Sequence, residues 1–173
     1  GRPLSALAAP HQGSLTGIQG LSLASHLSQR DVAGRMRTSC CEALERAGLA
    51  AEVQELDDTA GRPAYAQAAS QPGACLAIWA ATEHGWRLGA DMAGARGRAA
   101  EEIGRQVAQQ LMEDLTAGAS VDRYLADQLV PYAALAHRTS TYRIPQVTDH
   151  VTTRLWLVEE LLGHWMQTMP VGP

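Results

Sequence analysis

The spacing of apolar positions divides this 173-residue chain into alternating strand-like and helix-like stretches. Ile18, Leu21 and Leu23 mark a strand over 17–24. Val32, Met36, Cys40 and Leu44 recur every fourth residue, which predicts a helix over 30–47. Gly48 is placed to end it. A short strand is expected at 51–56, a buried strand at 74–81, a turn at Glu83, His84 and Gly85, and a return strand at 86–92. Ile103, Val107, Leu111 and Leu115 predict a long helix over 98–117, stopped by Gly118. Residues 1–14 read as a loose lead-in. The stretch 57–73, rich in Ala, Gly, Pro, Ser and Gln, reads as a mobile loop.

The resulting order, β-α-β-β-β-α, predicts an α/β unit in which helices pack on a small sheet. It is the element order of a thioredoxin-like fold. The cysteines do not support thiol chemistry. Cys40 and Cys41 sit side by side in the first helix, Cys75 lies in a strand, and no Cys-x-x-Cys occurs. They read as small buried fillers, and an odd count with an adjacent pair points to a reducing, cytoplasmic setting.

Beyond 118 the pattern changes to a helix over 121–136 broken at Pro131, a strand at 140–144, a helix capped by Thr148 or Asp149 and ended by Gly163, and a last strand at 164–169. A piece of about 55 residues buries too little surface to fold well alone. It reads as the closing half of a larger α/β domain that relies on other chain for its sheet. Apolar surface is then expected near Leu129, Leu155 and Val158 unless a partner or a second copy covers it. The chain opens Gly1-Arg2-Pro3 without methionine, which fits a fragment or a processed piece.

Composition refines this only slightly. With 46% apolar and 18% charged residues the chain is globular. A net charge of −4 argues against a basic nucleic-acid coat. All 14 cations are arginine, and phenylalanine is absent, so the core rests on Leu, Val, Ile, Ala and Trp. No apolar run has the length of a membrane helix, and the first residues do not form a signal peptide.

His150 is the candidate for chemistry. On a helical wheel Val151, Leu155, Val158 and Leu162 centre the buried face, and His150 falls at its edge, in line with Leu157 and Leu161. A neutral imidazole there is a usable nucleophile, and the backbone N–H groups of the same turn can hold a phosphate. Against this stands the ordinary half-buried or capping histidine at a helix start. His11, His26, His84 and His164 lie in or near turns and strand ends, and His137 follows a helix end, with no zinc spacing among them.

Several ordered motifs carry a resemblance. Gly89, Ala90, Asp91, Gly94, Arg96 and Gly97 form a GAD-x-x-G-x-RG stretch similar to that of the RNA 3'-terminal phosphate cyclases, and Ala100, Glu101, Glu102, Ile103 and Gly104 continue it. Tyr124, Leu125, Ala126, Asp127, Gln128 and Leu129 resemble the family's LADQL nucleotide segment, and Pro131, Ala134, Leu135 and Ala136 follow in the family's order. Asp149, His150, Val151, Thr152 and Thr153 resemble the segment holding the histidine that becomes adenylylated. The resemblance runs from Leu15 onward and is strongest from Gly89 to Gly163. The chain departs from the family at Arg154, where asparagine is usual, and at His137, where a small residue is common. The segment from Gln128 to Pro131 is one residue short, and the family's N-terminal half is absent.

The resemblance implies that residues 1–118 are a cyclase-type insert domain of thioredoxin-like order. It implies that 119–173 close a catalytic domain of βαβαββ repeats. It makes His150 the catalytic nucleophile and Tyr124, Leu125, Ala126, Asp127 and Gln128 the nucleotide-binding residues. The implied reaction uses ATP to convert an RNA 3'-phosphate end to a 2',3'-cyclic phosphate through a histidine-AMP intermediate. Magnesium is the expected divalent ion, with no protein ligand for it placed in the chain. The expected partners are the RNA end, the missing N-terminal half in the same precursor or another chain, and a second copy, with no membrane. The alternative is a non-catalytic cyclase-like RNA-processing or assembly module.

Residue by residue, other readings stay open. Asp127 can meet a nucleotide, lean on a cation or face solvent. Tyr124 can stack on adenine or simply pack. Glu101 and Glu102 suit a helix start, and Asp91 and Arg96 suit a hairpin end. Arg154, one turn after His150, can bind a triphosphate or point to solvent.

Overall fold

A computed structural model describes residues 4–59, 61, 63–163 and 165–170. The chain divides into two compact units. One is Ser14–Glu113. The other joins the described residues up to Gly13 with those from Asp114 onward. The boundary therefore falls near the end of a helix and assigns the lead-in to the C-terminal unit, where the sequence pattern grouped it with 1–118.

The unit Ser14–Glu113 has the expected β-α-β-β-β-α order. With β1 kept for a short strand at Ala8–Ala9, its elements are β2 (Leu15–Ser25), α1 (Val32–Arg46), β3 (Ala51–Asp58), β4 (Gly73–Thr82), β5 (Arg87–Ala93) and α2 (Ala100–Thr116). The sheet order is β3-β2-β4-β5, with β2 parallel to β3 and antiparallel to β4, and β4 antiparallel to β5. Alternation decides which side is buried. Ile18, Gly20, Ser22 and Ala24 of β2 and Leu76, Ile78 and Ala80 of β4 are buried on the side where α1 packs. Met36, Cys40 and Leu44 of α1 are fully enclosed, as their four-residue spacing predicts. Ser22, buried in the sheet, donates to the Ala33 carbonyl at 2.7 Å and so satisfies its hydroxyl. α2 lies directly on α1 at Gly104. A Cβ there would stand 2.8 Å from the Cys40 backbone nitrogen and still closer to the Met36 carbonyl.

The stretch read as a mobile loop is tethered. β3 runs two residues further than the apolar pattern suggests and ends on Asp58, whose side chain is buried. Its carboxylate accepts from the Ala64 amide at 2.9 Å, the Ala69 amide at 2.7 Å and the Ser25 hydroxyl at 3.0 Å. His26, in a left-handed conformation, donates its amide to the Asp58 carbonyl, and its Nε2 lies 2.6 Å from the Ala69 carbonyl. One carboxylate thus organises a segment whose composition shows only turn formers. The amide bonds hold the Asp58 carboxyl below the usual carboxylate range, Ala69 first and then Ala64.

The second unit contains β1, α3 (Leu125–Gln128), α4 (Val130–Ala134), β6 (Thr141–Tyr142) and α5 (Asp149–Leu162). The lead-in is not loose here. Ala8 and Ala9 pair in parallel with Thr141 and Tyr142, and the Ser120 hydroxyl donates to the Ala9 carbonyl at 2.6 Å. Two-residue strands leave no periodicity to read. The strand expected at 140–144 shrinks accordingly, since Ile144 packs in a core and Pro145 follows. The helix expected over 121–136 starts at Leu125 and parts at Leu129, just ahead of Pro131, which sits in the first turn of α4. Of the last expected strand, His164 lies outside the described residues, and 165–170 form no regular element. Met166 instead packs on the cluster of Val130, Ala134 and Val158.

The apolar surface also differs from expectation. Val158 is buried, and Leu129 and Leu155 are partly buried against the two small cores of this unit. Exposed instead are Trp156, Leu157, Leu161 and Leu162 of α5, together with Trp165. Leu162, expected at the centre of the buried face, is exposed in the last position of α5.

Two outcomes test this packing. Gly104→Ala should destabilise the protein by about 1–3 kcal/mol in urea unfolding, because two helix backbones would have to part; an unchanged midpoint would contradict the close contact. Asp58→Ala should raise hydrogen exchange at the Ala64 and Ala69 amides about tenfold, as expected for a lost charged acceptor. Because the folded carboxyl is shifted down, the tether is complete above the ordinary carboxylate pKa and is lost as pH falls through the lower value of the folded state. A tether that weakened towards neutral pH would contradict this sign.

Candidate functional site

The site is built by two helix starts. Thr148 takes an extended conformation, and its hydroxyl accepts from the Val151 amide at 3.3 Å, while Gly163 closes α5 in the left-handed region. α3 is started by Asp122, whose Oδ1 accepts from the Tyr124 and Leu125 amides at 3.0 and 2.8 Å. The helices share a core. Ala126 of α3 and Val151 of α5 are buried with Val121, and Leu125, Leu129, Tyr142, Ile144 and Leu155 pack around them. The Tyr142 hydroxyl donates to the Ala126 carbonyl at 3.2 Å. Burial, and then the Asp127 charge, pushes that phenol up to about 12, which keeps it a donor.

This packing turns the remaining side chains of both helices to one cleft of about 380 Å³. Tyr124, Asp127 and Gln128 line it from α3, and His150 and Arg154 from α5; Arg123, Gln146 and Thr148 complete the wall. Four of the six residues singled out from sequence therefore meet. Leu125 and Ala126 do not, because their side chains belong to the core beneath. His150 is exposed rather than partly buried, since Leu157 and Leu161 on the same edge of the helix are exposed too.

Arg154 neither points idly to solvent nor stands unengaged. Its Nε donates to Asp127 Oδ2 at 2.6 Å, so the first turns of α5 and the short α3 are joined by an ion pair. Asp127 leans on a cation, and the cation is the residue by which the chain departs from its resemblance. A second pair was not legible from sequence. Arg123 donates to the buried Asp114 through Nε at 3.1 Å, Nη2 at 2.8 Å and its own amide at 3.1 Å. The partners are separated by the turn at Gly118, so no helical spacing reveals them.

The other singled-out residues lie in the unit Ser14–Glu113. Glu101 receives two bonds from Arg35, at 2.7 and 2.9 Å, and this pairing takes its carboxyl down to about 2. Glu102 pairs with Arg105 and Gln106. Burial pushes the Cys40 thiol up to about 12 and raises Cys41 and Cys75 as well, so none is an activated thiolate. Among the described residues no three His, Cys, Asp or Glu side chains could together hold a metal ion, and no helix is long and apolar enough to cross a membrane.

Residues 10–116 match the model of the RNA 3'-terminal phosphate cyclase (RTC) insert domain, which covers more than half of the chain. The chain belongs to the RNA 3'-terminal phosphate cyclase family. An RNA 3'-terminal phosphate cyclase of Caldivirga maquilingensis is 34% identical over 157 residues, covering 91% of this chain and 43% of that protein. One of Methanopyrus kandleri is 32% identical over 160 residues, covering 92% and 44%. One of Thermococcus onnurineus is 45% identical over 92 residues, covering 53% and 26%. The chain thus spans less than half the length of the cyclases it matches. The insert-domain match lies over the β-α-β-β-β-α order. The residues that line the cleft lie outside that match, in the unit that joins the lead-in with the residues from Asp114 onward.

The buried Asp114 is the anchor of the cleft wall. Asp114→Ala would leave Arg123 without its main acceptor and should cost about 3 kcal/mol in thermal or urea unfolding. A loss below about 0.5 kcal/mol, the level of a surface pair, would contradict its role.

Proposed function

We propose that this chain is the C-terminal portion of an ATP-dependent RNA 3'-phosphate cyclase and that His150 is its nucleophile. The observation that carries the proposal is the convergence of Tyr124, Asp127, Gln128 and His150, from two separate helices, on one cleft. Exposure of His150 leaves its ring accessible to a phosphorus atom. The extended Thr148 and the start of α5 beside it place backbone N–H groups where an oxyanion is favoured. Tyr124, 46% exposed at the cleft, offers a ring face to a base.

In this reading an imidazole nitrogen of His150 attacks the α-phosphorus of ATP. An N–P bond forms, the bond to the bridging oxygen breaks, and pyrophosphate leaves. An oxygen of the RNA 3'-phosphate then displaces His150 from the AMP. Finally the adjacent 2'-hydroxyl, losing its proton, attacks the activated 3'-phosphorus and AMP departs, leaving the 2',3'-cyclic phosphate. One difficult displacement is divided into three easier ones. The residues of the cleft do not fit a resident magnesium ion, because its one lining carboxylate, Asp127, is already engaged by Arg154. The expected divalent ion would belong to the nucleotide substrate. The remaining half of the cyclase and the RNA end are the proposed partners.

Labelling with α-phosphate-labelled ATP in the protein that carries this chain tests the proposal. The label should be on His150, be lost in acid as a phosphoramidate is, and fall at least a hundredfold in His150→Ala, as for other removed nucleophiles. Equal labelling of His150→Ala would place the nucleophile elsewhere. Absence of label from the unsubstituted protein would favour a non-catalytic assembly module, in which the Arg154–Asp127 pair serves only to close the cleft.

A further inference from the structure

We infer that Arg123 and Arg154 form a clamp for phosphate oxyanions in the cleft beside His150. The inference rests on the nucleotidyl-transfer reading of that cleft and names what would hold the phosphates. Both guanidinium groups line the cleft, and each is held by a carboxylate. Asp114, only 1% exposed, fixes Arg123 through three hydrogen bonds and lies behind the wall rather than in it. Asp127 fixes Arg154 through Nε alone. The Nη groups of Arg154 make no hydrogen bond to a described residue, and its side chain is 43% exposed.

Arg154, oriented through Nε, presents its Nη donors in a fixed fork, which matches a phosphate better than a freely rotating cation does. Prior orientation also lowers the entropy lost when the anion binds. Each arginine is balanced by its own carboxylate, on a chain whose net charge is −4, so the cleft favours an anion through the direction of its donors and not through net positive charge. Such a site selects polyanions by local geometry, since the overall charge repels them.

Two anions share this chemistry: the triphosphate of a nucleotide and the terminal phosphate of an RNA. Isothermal titration of the protein that carries this chain separates them, using inorganic tripolyphosphate and short oligoribonucleotides ending in a 3'-phosphate or a 3'-hydroxyl. Arg154→Gln should weaken tripolyphosphate binding about tenfold and Arg154→Lys about threefold, because lysine keeps the charge and loses the fork. Both variants should melt with the unsubstituted protein, which excludes a general loss of structure. If the clamp holds the RNA end, Arg154→Gln will instead abolish the preference for 3'-phosphate over 3'-hydroxyl and leave tripolyphosphate unchanged. Unchanged binding of both ligands by Arg154→Gln would overturn the clamp. Weakened binding in Arg154→Gln without any AMP labelling of the unsubstituted protein would leave the clamp standing and reject nucleotidyl transfer. Labelling with unchanged tripolyphosphate and RNA binding in Arg154→Gln would reject the clamp alone.

Discussion

The contact of Ala126 with Val151 is the constraint on which the cleft depends. α3 is a single turn and could not hold its shape in water alone. It persists because Ala126 is buried against α5, and because Asp122 satisfies its first two amides. Once these two helices are packed, helical geometry leaves little freedom for their other faces. Tyr124, Asp127 and Gln128 must turn outward where Ala126 turns in, and His150 and Arg154 flank Val151 in the same way.

Electrostatics adds a second layer to that packing. The cleft gathers arginines on a chain that is acidic overall, and it does so by giving each one a carboxylate. The two pairs differ in kind. Asp114 is buried, so its pairing with Arg123 compensates a charge that could not otherwise be kept from water. Asp127 is partly exposed and Arg154 more so, so that pair lies nearer to solvent and contributes less to stability. The wall therefore combines a buried pair with a half-exposed one.

Much of the insert-type unit was legible from sequence because its elements are long enough to show a period. The four-residue spacing of Met36, Cys40 and Leu44 and of Ile103, Val107 and Leu111 located both long helices, and the glycines that end them are left-handed where a stop was expected. What escaped was short or non-local. β1, inside the stretch read as a loose lead-in, has two residues and exists only through its pairing with β6. The tether at Asp58 depends on amides six and eleven residues away, which composition cannot reveal. In the cleft, His150, Tyr124, Asp127 and Gln128 could be named from motif resemblance. The partner of Arg154 and the presence of Arg123 could not, because ion pairs across a turn leave no periodic trace. The side chains of Leu125 and Ala126, named in the same motif, lie in the core beneath the cleft, because a motif names consecutive residues and a helix turns them to different sides.

Membership in the cyclase family accounts for the insert-type unit, and the cleft is the feature through which the chain would take part in the chemistry. A crystal structure of the protein that carries this chain, with a non-hydrolysable ATP analogue bound, tests that claim most directly. The account predicts the α-phosphorus within about 3–3.5 Å of a His150 ring nitrogen, the separation of a near-attack arrangement. It also predicts the base against Tyr124 and phosphate oxygens on the Arg123 and Arg154 guanidinium groups. A nucleotide bound elsewhere, with His150 facing only solvent, would contradict it.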